Sequence, residues 1–191
     1  PRVAAWEQLL ALCREVIAPR MEQRGMVCCI EPLNQGECNI LNTCAEGFRL
    51  AQAVDRPGVR LLVDLYHFDL EGESLSALEG YRGRLGHCHI ASAQNSRLVP
   101  QPWDGQDYLP FFQALAAMGY EGRLSLEGDT RGGLPQIRSS LAYLRQLIGQ
   151  AAPLLPAVVL RAERYLRCGF MGMDVPVSYT HLRAHETLRH L

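Results

Sequence analysis

Four short, largely apolar runs, each followed by a helical pattern, constrain this chain more than any other feature. Residues 26–30, 59–63, 84–90 and 123–126 are too brief for helices and suit strands buried on both faces. Before the first run, Val3, Trp6, Leu9, Leu10, Cys13, Val16 and Ile17 recur at three- and four-residue spacing, which predicts an amphipathic helix ending near Arg24 and Gly25. Further helices are predicted over 44–54, opened by Asn42 or Thr43, over 73–81, over 107–118 with Asp107 as cap, over 135–148 and over 157–166. Buried strands alternating with helices produce a parallel α/β sheet covered on both faces. Four such units make half of an eight-unit barrel or one small open sheet, and periodicity leaves both open.

With 191 residues, 48% of them apolar, the chain can bury a core of its own. Its net charge is −1 and its arginines are scattered, so no basic stripe is available to a nucleic acid. Seven cysteines, odd in number and without a C-x-x-C knuckle, argue against a disulfide framework and against a thiolate zinc site. They favour a reducing compartment, and the cytoplasm is the expectation. The longest apolar stretch, 154–160, is interrupted by Pro156 and falls far short of the roughly 20 residues that cross a bilayer, so no membrane partner is expected. The chain opens on Pro1 and enters a helical pattern at once, as a piece of a longer reading frame would. Residues 177–187 read as translated adapter sequence. The expected division is a partial barrel over 1–150, a helical extension over 151–173 and a non-native tail over 174–191.

Each apolar run finishes in a group able to bind a hard cation: Glu31, Asp64, His89 and Glu127. Any one of these acids alone is more often a cap or turn former. Four in succession are different, because the carboxyl ends of barrel strands gather on one face and hold the active site there. Three carboxylates and an imidazole suit Mn²⁺, Mg²⁺ or Co²⁺, with Zn²⁺ also compatible. His87 and His89 lie on the same side of their strand by alternation, and His89, nearer the end, is the preferred ligand. Cys28, Cys29 and Cys88 read as small packed residues, and Phe111, Phe112, Leu115 and Met118 as the buried face of a helix.

The runs Ile30-Glu31-Pro32-Leu33-Asn34 with Glu37, Asp64-Leu65-Tyr66-His67, His87-Cys88-His89-Ile90-Ala91 with Arg97, and Leu126-Glu127-Gly128 resemble the xylose isomerase-like barrels. Among these the chain is most similar to the ketose 3-epimerase and hydroxypyruvate isomerase group of sugar (phosphate) isomerases and epimerases, over about residues 3–150. The resemblance implies the C-terminal half of a (β/α)8 TIM barrel, with four parallel strands and flanking helices. It implies that Glu31, Asp64, His89 and Glu127 hold the metal, that Glu31 and Glu127 double as the acid–base pair, and that Glu37, His67 and Arg97 contact substrate. It further implies a ketose or small hydroxy-carbonyl acid as substrate, with reaction through an enediolate. A homo-oligomeric parent and weak or no activity for this chain alone belong to the same expectation. The alternatives are a metal-dependent dehydratase on a polyol ketone, an abasic-site endonuclease, and a non-catalytic relative of the fold. The endonuclease would call for more histidine ligands and a basic face, and the charge balance opposes it.

Overall fold

The structure is a computed structural model and describes residues 2–151. The helix expected over 157–166 and the divisions drawn beyond Ala151 lie outside the described residues.

The first helical pattern forms as α1 (Arg2–Ala11), a π-helical stretch (Leu12–Ile17) and α2 (Ala18–Glu22) instead of one continuous helix. Pro19 explains the interruption: it has no N–H to donate to the preceding turn, and the wider π register just before it accommodates that loss. Strand β1 (Cys28–Ile30) follows, with Met26 and Val27 left half exposed ahead of it.

Helix α3 (Cys44–Val54) is opened by Thr43, whose side chain accepts the Glu46 N–H at 3.1 Å. Glu73 also accepts the Cys44 N–H at 2.7 Å, placing a carboxylate at the positive end of the helix. Asp55, in the left-handed region at φ 50°, ends it and leads into β2 (Val59–Asp64).

Helix α4 (Leu65–Leu70) starts directly at the end of β2, and six residues are too few for periodicity to reveal it. The pattern expected over 73–81 is a 3-10 helix, Leu75–Tyr81, opened by Ser74. After β3 (Leu85–Ile90), helix α5 (Leu109–Ala117) begins two residues later than expected, although Asp107 Oδ1 does accept the Leu109 N–H at 3.0 Å. Strand β4 (Arg123–Leu126) leads to α6 (Gly133–Ala151), longer at both ends than the predicted 135–148.

The four strands are parallel and lie in the order β1-β2-β3-β4. A doubly wound sheet reverses direction at a switch point, whereas each strand here sits beside its chain neighbour, as in a barrel. The larger core lies between the sheet and its outer helices. There Leu61, Val63, Leu85, Cys88 and Ile90 pack against Phe68, Leu78, Phe111, Phe112, Leu115 and Leu144. A smaller cluster joins Cys13 and Ala18 to Leu50, Val54 and Val59. Among the described residues, Cys13, Cys28, Cys29, Cys38, Cys44 and Cys88 are free thiols, and no helix is long and apolar enough to cross a membrane.

One irregularity decides which residues face the inside of the sheet. Leu61 pairs with Leu85, but Leu62 pairs with His87, so Gly86 is an extra residue in β3. Without it, alternation from Leu85 would send His87 and His89 into the helix-side core and Cys88 to the inner face. The bulge shifts the count by one, so Cys88 and Ile90 join the core and His89 aligns with Asp64. Only glycine fits at the bulge, because a Cβ on Gly86 would stand 2.7 Å from Cys29 Sγ and 2.9 Å from Arg60 Cβ.

Candidate metal centre

Glu31 follows β1, Asp64 ends β2, His89 lies one residue from the end of β3, and Glu127 follows β4. In a flat sheet the first and fourth strands would be about 14 Å apart. Yet Glu31 Oε1 and Glu127 Oε2 lie 3.1 and 2.6 Å from one atom, His89 Nδ1. The sheet therefore curls, and the side chains of its two outer strands meet over the middle. Each of the four residues offers a ligand atom within 4.8 Å of the others.

The local structure aims each group. Asp64 caps α4 by accepting the Tyr66 N–H at Oδ1 (3.0 Å), which leaves Oδ2 facing the centre. Asp64 as a whole is 1% exposed. Burial, reinforced by the charge of Glu31, pushes its pKa up to about 7 against the pull of His89, the Tyr66 N–H and Arg97. For His89, burial alone would lower the pKa, but Glu127 and Glu31 outweigh it and raise the imidazole to about 10. Between two carboxylate acceptors Nδ1 carries a proton, which a cation must replace in order to bind there.

Glu37, His67 and Arg97 form a second group beside the first. Two N–H donors of Asn34 converge on His67 Nδ1, from the backbone at 3.1 Å and from Nδ2 at 2.8 Å. These two closer bonds make Nδ1 the acceptor and leave the proton of the neutral ring on Nε2, 3.7 Å from Asp64 Oδ2, so Arg97 Nη2, 3.4 Å from the same Nε2, takes its acceptors from the carboxylates and not from this ring. Burial first, and Arg97 second, hold the His67 pKa below its usual value. Arg97 lies 3.4 Å from each of Glu37 Oε2, Asp64 Oδ2 and Glu127 Oε2, with its guanidinium 4.9 Å above the Tyr66 ring.

Glycine at position 128 makes the Arg97 contact possible. The Arg97 carbonyl accepts the Asp129 N–H at 2.7 Å, and a Cβ on Gly128 would stand 2.5 Å from that carbonyl oxygen. The loop thus docks onto the end of β4, beside Glu127. Ser96 and Arg97 both adopt positive φ, 50° and 62°, to make the turn.

All seven residues singled out in the sequence come together here. Sequence reasoning quoted Asn34 and Tyr66 within these runs but gave neither a role: Asn34 orients His67, and Tyr66 lies beneath Arg97. Both stand within three residues of a strand-end acid, and their position on the same loops is the signal that could have found them.

The donor set fits a divalent cation. Metal–oxygen and metal–nitrogen bonds of about 2.0–2.2 Å put neighbouring ligands about 3–4.4 Å apart, so a cluster within 4.8 Å needs little closure. With three carboxylates, one imidazole and no thiolate, a hard or borderline ion suits best.

A curled parallel sheet with acids and an imidazole gathered at its strand ends defines an α/β-barrel protein with a candidate metal site. A sequence profile of the xylose isomerase-like TIM barrel matches residues 1–147, and the chain belongs to that family. It is 38% identical over 125 residues to 3-dehydro-D-guloside 4-epimerase of Escherichia coli K12, covering 63% of this chain and 46% of that protein. It is 33% identical over 132 residues to D-psicose 3-epimerase of Ruminiclostridium cellulolyticum, covering 67% of this chain and 43% of that one. A D-psicose 3-epimerase crystallised in the presence of D-fructose shares the fold with a TM-score of 0.71 at 24% identity, over 78% of this chain and 58% of the other. The chain spans less than half the length of these two curated relatives.

Proposed function

We propose that this chain carries the metal-binding and proton-transferring part of a sugar epimerase or isomerase, acting on a ketose or a small hydroxy-carbonyl acid. The observation that carries this reading is the meeting of Glu31 and Glu127, from the two outer strands, at His89. Glu31, Asp64, His89 and Glu127 would hold the cation, with Mn²⁺, Mg²⁺ or Co²⁺ the best match to their chemistry. When bound, a divalent ion supplies Lewis acidity toward the hydroxyl and carbonyl oxygens of the substrate.

The remaining work falls to side chains of this chain. One of Glu31 and Glu127 removes the proton from the carbon beside the carbonyl, and the other returns a proton to that carbon from the opposite side, inverting it. Isomerisation differs only in that the proton returns to the neighbouring carbon. His67 presents Nε2–H, a donor for a substrate oxygen, and its depressed pKa keeps the ring neutral. Arg97 and Glu37 recognise hydroxyls farther along. The chain's own residues supply one wall of a pocket, so turnover by the chain alone is expected to be weak.

Deuterium exchange tests this reading with more sensitivity than turnover. The Mn²⁺-loaded chain and its Glu31→Gln and Glu127→Gln variants are incubated with D-psicose in D₂O, and the sugar is followed by proton NMR. Exchange of a carbon-bound proton next to the carbonyl, lost in both variants, supports the proposal. Undiminished exchange in both variants contradicts it, and loss of a substrate hydroxyl instead of exchange points to the dehydratase.

A further inference from the structure

We infer that Arg97 sets the affinity of the metal centre, and that Gln106 holds it in place to do so. The inference rests on the metal reading above and goes beyond it by giving Arg97 a role before any substrate arrives.

Arg97 Nη2 lies 3.4 Å from both Asp64 Oδ2 and Glu127 Oε2, two of the carboxylates that would hold the cation. Its side chain is 25% exposed, so the charge is partly withdrawn from water. A positive charge at that distance partly neutralises the carboxylates and repels a divalent ion through a partly desolvated path.

Its position is built into the fold. Gln106, 9% exposed, donates from Nε2 to Asp69 Oδ2 at 2.5 Å, and its Oε1 accepts the Ala93 N–H at 2.8 Å. Asp69 belongs to α4, the helix that also carries Tyr66 and His67. The glutamine is therefore a strut between α4 and the base of the loop that presents Arg97. Asp104 stiffens the same loop by accepting the Gln101 N–H (2.8 Å), the Gln106 N–H (2.9 Å) and the Tyr108 hydroxyl (2.6 Å). From the same helix, the strut ties down the base of the loop and the Tyr66 ring faces the guanidinium. Gln106 acts on the centre only through Arg97, as a positioning residue.

Mn²⁺ calorimetry on the parent chain, Arg97→Gln, Gln106→Leu and the double variant tests this, with circular dichroism as the check on folding. Arg97→Gln is expected to bind Mn²⁺ about tenfold more tightly, a size suited to a charge that is partly solvated. Gln106→Leu should give part of that gain, and the double variant should match Arg97→Gln alone. Unchanged or weaker binding in Arg97→Gln overturns the inference and makes the arginine a substrate contact only. A Gln106→Leu effect that persists undiminished in the Arg97→Gln background overturns the strut. Absence of Mn²⁺ binding in all four folded chains overturns the metal reading itself, and the inference with it.

Discussion

On the helix side of the sheet, Leu61, Val63, Cys88 and Ile90 are fully buried among apolar side chains. On its inner side the same strands present Arg60, Asp64, His87 and His89, and the flanking acids Glu31 and Glu127 close over them. The helix side gains stability from each buried methylene. The inner side gathers three carboxylates, and there burial, reinforced by the charge of Glu31, disfavours the ionised form of Asp64 against the pull of His89 and Arg97. One side is built to hold the fold, while the other concentrates charge at a cost to the fold, a pattern common to functional sites.

The comparison breaks most completely at Gly86, the residue that assigns side chains to the two sides. Deleting it would bring β3 into unbroken register with β2 and exchange Cys88 with His89 between core and site. The expected outcome is loss of cooperative unfolding together with loss of Mn²⁺ binding, measured by urea denaturation and calorimetry. Retention of both would mean that the bulge does not assign the faces.

On the helix side, Ile90→Ala should cost about 2–5 kcal/mol in urea denaturation, as for other large-to-small changes in a packed core, and leave the metal stoichiometry of the folded protein unchanged. A loss below about 1 kcal/mol would show that the outer core is less tightly packed than its burial indicates.

On the inner side the sign of the pH dependence discriminates. Asp64 has a folded pKa near 7, above the ordinary carboxylate value of 3.8, and His89 has one near 10, above 6.5. Both groups hold their protons more tightly when folded. Their contributions are therefore fully present below pH 3.8 for Asp64 and below 6.5 for His89, and are lost as pH rises through about 7 and about 10. With EDTA present, the Asp64→Asn variant should lose less stability than the parent between pH 4 and 7, read as the shift in urea midpoint. An identical slope in both chains would remove Asp64 from the account.

The smallest effect concerns neither side directly. Thr43→Ala removes the α3 cap and should cost about 1 kcal/mol without touching metal binding, which calibrates how far an ordinary local contact matters here.

The strand-end acids and His89 were legible because alternating apolar strands and helices put strand ends on one face, whatever the sequence distance between them. His87 and His89 were also assigned correctly to one side of β3. What alternation could not give is which side that was: Gly86 reads as an ordinary residue until its pairing is seen. Helix α4 escaped because it has only six residues and takes Asp64, already read as a strand end, as its cap. The choice between barrel and open sheet needed strand order, which no local pattern encodes. The Gln106–Asp69 strut joins residues 37 positions apart through side-chain amide chemistry, and nothing in either neighbourhood announces it.

The central claim is that the four strand ends form one cation site, and Mn²⁺ calorimetry on the parent chain and on an Asp64→Asn, Glu127→Gln double variant tests it most directly. The account predicts one site in the parent and none in the variant. Equal Mn²⁺ binding by both, or no binding by a folded parent, would contradict it.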